Sequence, residues 1–326
     1  MIVFINLLHK AISMTITQLQ YVLAVAEYQN FTLAAEKSYV TQPTLSMQVQ
    51  KLEDELDVRI FDRSKKPIAI TEAGRKIVAQ AKNIVNEAKR IKDIVDQEKG
   101  FIGGEFTLGI IPTVMPTLLP MFLKTFINKY PKVNLIIREQ NTDTLIRNLQ
   151  EGHLDAGIAA TPLDIEFIVE RPLYYEPFVG YVPPGHRLRK AEKLMPEDLD
   201  IKDILLLQDG HCFREGVVNL CKASKNAEAE HFQLQSGSFE TLVNLANEGL
   251  GMTLLPFLNT LELDASKKSN LKYFKEPSPA REISLIYHKK ELKLHITNAL
   301  RDVISSVVRG AIAFQDVNII SPLAKK

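Results

Sequence analysis

The sequence lacks the features that would place a chain in a membrane or mark it for export. None of its apolar stretches approaches the roughly 20 residues that span a bilayer, so we expect no membrane partner. Residues 1–13 carry only Lys10 as a charge and contain no small-residue cleavage motif, which argues against a signal peptide. We predict a cytoplasmic protein in which residues 1–13 are a disordered extension or the product of a start upstream of Met14.

Cysteine is scarce as well: the two cysteines, Cys212 and Cys221, lie nine positions apart. In the cytosol thiols are kept reduced, and a disulfide is more often transient than structural. Nine residues of continuous α-helix span about 13.5 Å and place their ends on opposite faces. Because a disulfide requires Cα atoms within about 4.4–6.8 Å, these thiols can bond only if a helix between them unwinds.

An excess of one charge is also missing, because 40 basic residues are balanced by 39 acidic ones. The local distribution of charge is more informative than the total. Six basic residues lie between positions 59 and 76, against only Asp62 and Glu72. The stretch at 59–71 is predicted to form a hairpin, or wing, whose Arg63 and Lys65 meet phosphates.

A helix-turn-helix is predicted immediately before this wing. Apolar residues at helical spacing indicate helices at 17–28, 32–38 and about 42–56, with Thr41 as an N-cap and Pro43 in the first turn. The start of the last helix in such a motif enters the DNA major groove. The residues expected to contact DNA there are Thr41, Gln42, Pro43, Thr44, Ser46 and Gln48.

A long helix is predicted over residues 73–98, followed by a hinge at 100–104. Its apolar residues repeat at a spacing of four and three, as in a coiled coil. The pattern favours a dimer seam, which would present two recognition helices to two half-sites, and packing on its own domain is the alternative. The residues of this seam are Ile77, Ala81, Ile84, Ala88, Ile91 and Val95.

The remainder alternates strands and helices and is predicted to form two α/β lobes with a cleft between them. Lobe I is expected at about 105–175 and 280–308, lobe II at about 176–279, and a tail without clear pattern at 309–326. Predicted strands lie at 106–111, 133–138, 154–159, 178–182, 204–207, 231–235, 252–255 and 283–288. Predicted helices lie at 116–128, 142–150, 212–223, 239–248 and 292–308, the last returning to lobe I.

Four motifs in the first 71 residues carry a family resemblance. They are Phe31-Thr-Leu-Ala-Ala-Glu, Thr41-Gln-Pro-Thr-Leu-Ser, Lys51-Leu-Glu-Asp-Glu-Leu and Phe61-Asp-Arg. They resemble the DNA-binding domain of LysR-type transcriptional regulators, and with the two lobes the resemblance covers residues 14–308. It implies a winged helix-turn-helix domain, a long linker helix and a two-lobed effector domain similar to periplasmic binding proteins. It also implies promoter DNA and RNA polymerase as partners, dimers paired into a tetramer, and a place at the nucleoid.

Three further features resemble the peroxide-sensing members of that family: Ile111-Pro-Thr-Val114, Gln208-Asp-Gly-His-Cys-Phe-Arg214 and the spacing of the two cysteines. The resemblance implies that Thr113 and Thr142 hold hydrogen peroxide and its water, with Thr144 a second candidate for the latter position. It also implies that His211 and Arg281 support the reactive thiolate. Taken from the sequence alone, each has a plainer role: the threonines as helix caps, His211 in a turn, Arg281 in a surface ion pair.

The two cysteines have different predicted environments. Cys212 is expected to open a helix, where backbone N–H groups favour an anion, and His211 and Arg214 are nearby. Such a setting lowers a thiol pKa from about 8.5 to well below 7.5. Cys221 lies in an apolar run and is expected to be buried and inert. Peroxide would therefore convert Cys212 to a sulfenic acid, which would condense with Cys221 to form a disulfide.

Two other classes of function compete with this switch. A regulator on the same scaffold could bind a small molecule in the cleft, with cysteines that have no redox role. A thiol enzyme would have no use for the helix-turn-helix, and no separate base and orienting group accompany Cys212. We expect no enzyme activity, no cofactor and no metal.

Overall fold

The computed structural model describes residues 14–98, 102–221, 236–291, 293–312 and 317–323. Contacts divide the chain into two compact units, residues 1–99 and 100–326. The predicted extension at 1–13, the start of the predicted hinge and the predicted strand at 231–235 lie outside the described residues.

The first unit is the predicted winged helix-turn-helix. Leu45, Val49 and Leu52 bury one face of the third helix against the first two. The predicted cap is confirmed, because the Thr41 hydroxyl accepts a hydrogen bond from the N–H of Thr44 and a proline lies in the first turn. The helices are α1 (Ile16–Tyr28), α2 (Phe31–Lys37) and α3 (Gln42–Leu56), and the wing pairs β1 (Phe61–Asp62) with β2 (Ala69–Ile70).

The long helix that follows, α4 (Glu72–Glu98), uses only part of its apolar stripe within the chain. Ala81 and Val85 are buried against the core of the first unit. Ile91 and Val95 are 66% and 43% exposed. The first half of the predicted seam therefore packs on its own domain, and a dimer seam stays a prediction for the second half.

The first lobe of the second unit has the predicted βαβαβ order and parallel sheet. Its central strand pairs in parallel with both neighbours, and two helices cover the apolar faces. The elements are β3 (Gly104–Ile110), α5 (Met115–Lys129), β4 (Val133–Glu139), α6 (Thr142–Gln150) and β5 (Ala156–Thr161).

The second lobe is built on the end of β6 (Ile168–Tyr181), which pairs with two antiparallel strands. The predicted strand at 204–207 is wrong. The segment makes one isolated β-bridge, between Ile204 and Met252, and the carbonyl of Leu205 accepts a hydrogen bond from the Thr253 side-chain hydroxyl. The other elements are α7 (Cys212–Leu220), α8 (Phe239–Asn247), β7 (Thr253–Pro256), α9 (Phe257–Leu261), α10 (Ala265–Lys268) and β8 (Leu271–Lys272).

Two long strands join the lobes. The first is β6, and the second is β9 (Ser278–His288), which pairs antiparallel with both β5 and β6. The chain then returns to the first lobe through α11 (Leu294–Val308), as predicted. The predicted lobe boundaries fall inside β6 and β9, because each strand runs from one hydrophobic core to the other.

Within the predicted tail at 309–326, the described residues 317–323 include a short strand. There, β10 (Val317–Ile319) pairs in parallel with the start of β9. A strand of three residues is too short to show the alternation by which strands are predicted. None of the helices in the described ranges is long and apolar enough to cross a membrane.

Candidate functional site

The two cysteines occupy the two ends of one helix. Cys212 is the first residue of α7 and Cys221 follows its last residue, and both are free thiols. Cys212 is partly exposed and packs against the core of the first lobe, whereas Cys221 is buried in the core of the second. A nine-residue separation on this helix corresponds to about 13.5 Å. The thiols therefore cannot meet while α7 is intact.

The first turn of α7 suits an anionic sulfur at Cys212. The side chain of the N-cap residue His211 makes no capping hydrogen bond, so N–H groups of the first turn can face an anion. Burial lowers the pKa of the adjacent His211, and the Glu139 carboxylate opposes part of that shift. At neutral pH His211 is therefore mainly a neutral hydrogen-bonding group. Arg214 is directed elsewhere, since its guanidinium pairs with Asp209 at 2.7 Å.

Cys221 is buried, as predicted. Burial, reinforced by the Asp200 carboxylate, raises the pKa of its thiol to about 12. The thiolate is the nucleophilic form of cysteine. Cys221 can therefore react only after it leaves the core of the second lobe.

This raised pKa predicts how stability depends on pH. The folded protein keeps the Cys221 proton up to about pH 12, whereas an unfolded cysteine loses it near pH 8.5. The protonated Cys221 therefore makes its full contribution to the free energy of unfolding below pH 8.5, and that contribution is lost as the pH rises toward 12. Between pH 8.5 and 10, urea unfolding of wild type should lose about 1.5 kcal/mol more free energy than Cys221→Ala. The matched control, Cys212→Ser, should lose as much unfolding free energy over this pH range as wild type. An equal loss in wild type and Cys221→Ala would contradict the raised pKa of Cys221.

A buried ion pair lies where the two lobes join. Arg281 on β9 donates to the Glu176 carboxylate on β6 at 2.7 and 3.0 Å, and both side chains are at most 4% exposed. The guanidinium also donates to the hydroxyl of Thr113 at 2.9 Å and to its carbonyl at 3.0 Å. It lies over the ring of Phe213, the residue after Cys212, at 5.1 Å. A surface ion pair for Arg281 is thus excluded, and its contact with Thr113 joins two predicted site residues.

The two predicted threonines follow neighbouring parallel strands. Thr113 comes after β3 and Thr142 after β4, so both lie at the same edge of the sheet, where α/β folds bind ligands. The Thr142 hydroxyl is buried and has no hydrogen-bond partner within the described residues. The Thr144 hydroxyl accepts a long hydrogen bond from Arg147. The geometry favours Thr142 over Thr144 for holding a small polar ligand.

The predicted DNA-contacting residues divide into two groups. Thr41, Gln42, Pro43 and Thr44 are exposed at the start of α3, and the Lys65 side chain is 66% exposed on the wing. The others are bonded within the domain. Ser46 and Gln48 are partly buried and Arg63 is exposed. The contacts are Ser46 to Arg63 at 3.1 Å, Gln48 to Gln18 at 3.3 Å, and Arg63 to Glu53 at 3.2 Å.

Two buried carboxylates were missed by sequence reasoning. Glu53 accepts the backbone N–H groups of Ile60 and Phe61 at 2.7 and 3.0 Å, so it fixes the base of the wing. Glu176 holds Arg281 and also accepts the N–H of Leu258 at 2.9 Å. A signal was present for Glu176, the only charged residue between Pro172 and Pro184, since a carboxylate in an apolar run implies a buried cation. In the described part of the chain, no cluster of three or more His, Cys, Asp or Glu could hold a metal.

Two family models match the chain. The model "LysR substrate binding domain" matches residues 99–309, and "Bacterial regulatory helix-turn-helix protein, lysR family" matches residues 16–75.

Individual proteins match over nearly the whole chain. A hydrogen peroxide-inducible genes activator of Pectobacterium carotovorum is 36% identical over 275 residues, covering 84% of this chain and 90% of that protein. The structure of a full-length OxyR variant from Pseudomonas aeruginosa matches with a TM-score of 0.71 and 32% identity, covering 90% of this chain and 98% of that one. A Corynebacterium glutamicum OxyR variant with hydrogen peroxide bound matches with a TM-score of 0.59 and 28% identity, covering 91% and 93%.

Proposed function

Because the chain belongs to the LysR family of bacterial helix-turn-helix regulators, we propose that it is a promoter-binding activator that hydrogen peroxide switches on through a Cys212–Cys221 disulfide. One observation carries the proposal: a partly exposed thiol at the N-terminus of α7 and a buried thiol at its other end. The names of the similar proteins support it, since one activates peroxide-inducible genes and another holds hydrogen peroxide.

The proposed chemistry has two steps. The Cys212 thiolate attacks one peroxide oxygen; an S–O bond forms, the O–O bond breaks, and the departing hydroxide takes up a proton to become water. The Cys221 sulfur, after losing its proton, then attacks the sulfenic sulfur of Cys212. The S–S bond forms, the S–O bond breaks, and the hydroxyl leaves as water with that proton. One peroxide is reduced and two thiols are oxidised.

The residues around Cys212 can bind and orient the peroxide. The oxygen of the Thr113 hydroxyl accepts a hydrogen bond from Arg281, so its own O–H can donate to a ligand. Arg281 has five N–H groups, of which four are used by Thr113 and Glu176. One N–H therefore remains for the reacting oxygen. Thr142 would contribute its unpartnered hydroxyl, and neutral His211 a further hydrogen bond.

The DNA-binding half of the proposal rests on the exposed start of α3 and on the wing. Gln42 and Thr44 offer groups that pair with base edges, and Lys65 offers a charge for phosphate. The exposed apolar residues Ile91 and Val95 on the second half of α4 would pair two chains. We propose that such dimers associate into tetramers, and that the complex activates RNA polymerase at the nucleoid.

Lys65 and Arg63, both basic and both on the wing, should behave differently when replaced by alanine. Lys65→Ala should weaken binding to all DNA sequences alike, because one phosphate contact is lost. The plot of log binding constant against log salt concentration should become less steep by about one. Arg63→Ala should instead destabilise the first unit by about 1–3 kcal/mol, since the buried Glu53 carboxylate loses a partner. Fluorescence anisotropy at several salt concentrations and thermal melts separate the two effects. Unchanged melting of Arg63→Ala would contradict its assignment as a structural residue.

The proposed function is tested by transcription with purified components. Genomic fragments that bind the protein are selected first, and transcription from them is then compared with reduced and peroxide-treated protein. Activation that requires peroxide and is reversed by dithiothreitol is expected. Activation that is equal in reduced and oxidised protein would overturn the proposal.

A small-molecule ligand in the cleft is the second candidate. The unpartnered Thr142 hydroxyl favours it, because that group would serve any small polar ligand equally well. This alternative predicts that a metabolite raises the melting temperature and that Cys212→Ser regulates normally.

A further inference from the structure

The end of α7 beside Cys221 is attached to the last described segment of the chain. Asn219 lies in the final turn of the helix, two residues before Cys221. Its side-chain amide donates to the backbone carbonyls of Ser321 at 2.9 Å and Leu323 at 2.7 Å. Two hydrogen bonds thus connect the last turn of the helix to residues more than 100 positions later in the chain.

The same segment is anchored on the strand that carries Arg281. Residues 317–319 pair in parallel with Ser278–Ala280, and the N–H of Ile320 donates to the carbonyl of Ala280 at 2.7 Å. Ile320 packs against the core of the second lobe, to which Cys221 also belongs. Residues 317–323 therefore contact both β9, which carries Arg281, and the end of α7 beside Cys221.

We propose that residues 317–323 are a strap that holds α7 in its helical form, and that Asn219 is a positioning residue that sets the rate of disulfide formation. The proposal rests on the disulfide switch proposed above. Disulfide formation requires the end of α7 to unwind, and the unwinding carries Asn219 away from the two carbonyls it binds. Those hydrogen bonds must therefore break before Cys221 can attack.

The strap should act on the second chemical step and leave the first unchanged. Peroxide reacts at Cys212, at the opposite end of α7, and needs no unwinding. The attack by Cys221 requires that this thiol leave its core, where burial keeps it protonated. A loss of the strap should therefore raise the rate of the second step alone, whereas a general loss of stability would alter both steps.

The test follows both steps in the full-length chain. Wild type, Asn219→Ala and the control Asn244→Ala, an exposed asparagine on α8, are mixed with peroxide and quenched at intervals. A dimedone probe reports the sulfenic acid at Cys212, and alkylation with mass spectrometry reports the disulfide. Conversion of sulfenic acid to disulfide should be about tenfold faster in Asn219→Ala, because two hydrogen bonds no longer oppose unwinding. Sulfenic-acid formation should be unchanged, and Asn244→Ala should match wild type in both steps.

A second variant and a second readout complete the test. A chain ending at Ile312 keeps every described helix but lacks the strap, and it should accelerate the second step at least as much. In reduced protein, amide hydrogen exchange at 217–221 should rise in both variants. The strap would be overturned if Asn219→Ala and the truncated chain both converted sulfenic acid to disulfide, and exchanged the amides at 217–221, at the wild-type rates. If amide exchange at 217–221 were faster in the two variants but peroxide produced no Cys212–Cys221 disulfide in wild type or either variant, the strap would stand and the disulfide switch would be overturned.

Discussion

Replacement of Cys212 by serine should abolish the peroxide response. A serine hydroxyl is not oxidised by peroxide, and the remaining thiol, Cys221, is buried with its pKa raised to about 12. Peroxide should therefore leave the single thiol of Cys212→Ser unmodified and should not change transcription. Alkylation of that thiol after unfolding, followed by mass spectrometry, measures the first effect, and transcription from a bound promoter measures the second.

The matched control is Cys221→Ser, which keeps the reactive thiol and removes its partner. The first step should proceed at the wild-type rate, and a dimedone probe should trap the sulfenic acid at Cys212. No disulfide should form within the chain. Full activation of Cys212→Ser by peroxide would contradict the switch and favour a ligand in the cleft.

Replacement of Arg281 by alanine should have the largest effect on stability. The change leaves the carboxylate of Glu176 buried without its cation, which costs about 3–5 kcal/mol in comparable buried pairs. The second unit should melt about 10 °C lower, as expected for a unit of this size. The reaction of Cys212 with peroxide should also slow, because Thr113 loses the group that holds its hydroxyl. Calorimetry and rapid-quench kinetics measure the two effects.

A double variant separates stability from chemistry at this position. Arg281→Met with Glu176→Leu replaces the ion pair by apolar side chains of similar volume, an exchange that is often neutral or stabilising. Melting should recover only part of the loss, because the buried N–H of Leu258 and carbonyl of Thr113 no longer have their partners, and the reaction with peroxide should stay slow. A single Arg281→Ala variant that melts like wild type would contradict the burial of this pair.

The DNA-binding unit could be predicted closely because its information is local. Apolar residues at helical spacing bury α1 and α3 against each other, and Thr41 and Pro43 mark the start of α3. The boundaries of α6 were also predicted to the residue, since Asn141 caps its start. The start and end of a short helix can be predicted when its apolar spacing and its capping residue both lie within the segment itself.

What could not be predicted depends on contacts between distant parts of the chain. The paired strands β6 and β9 lie over 100 residues apart, and the Glu176–Arg281 pair is formed only when they meet. The strap is a three-residue strand and a few loop residues, whose position depends on β9 and on Asn219. The sequence indicated the two cysteines and their incompatibility with a helix, but not what holds that helix in place.

Thiol mapping of the wild-type protein after one equivalent of hydrogen peroxide is the most direct test of the switch. The purified chain is oxidised, its remaining thiols are alkylated, and its peptides are sequenced by mass spectrometry without reduction. We expect one intramolecular disulfide joining Cys212 to Cys221, with the mass of the chain lowered by two hydrogen atoms. Both cysteines recovered as alkylated thiols after this treatment would contradict it.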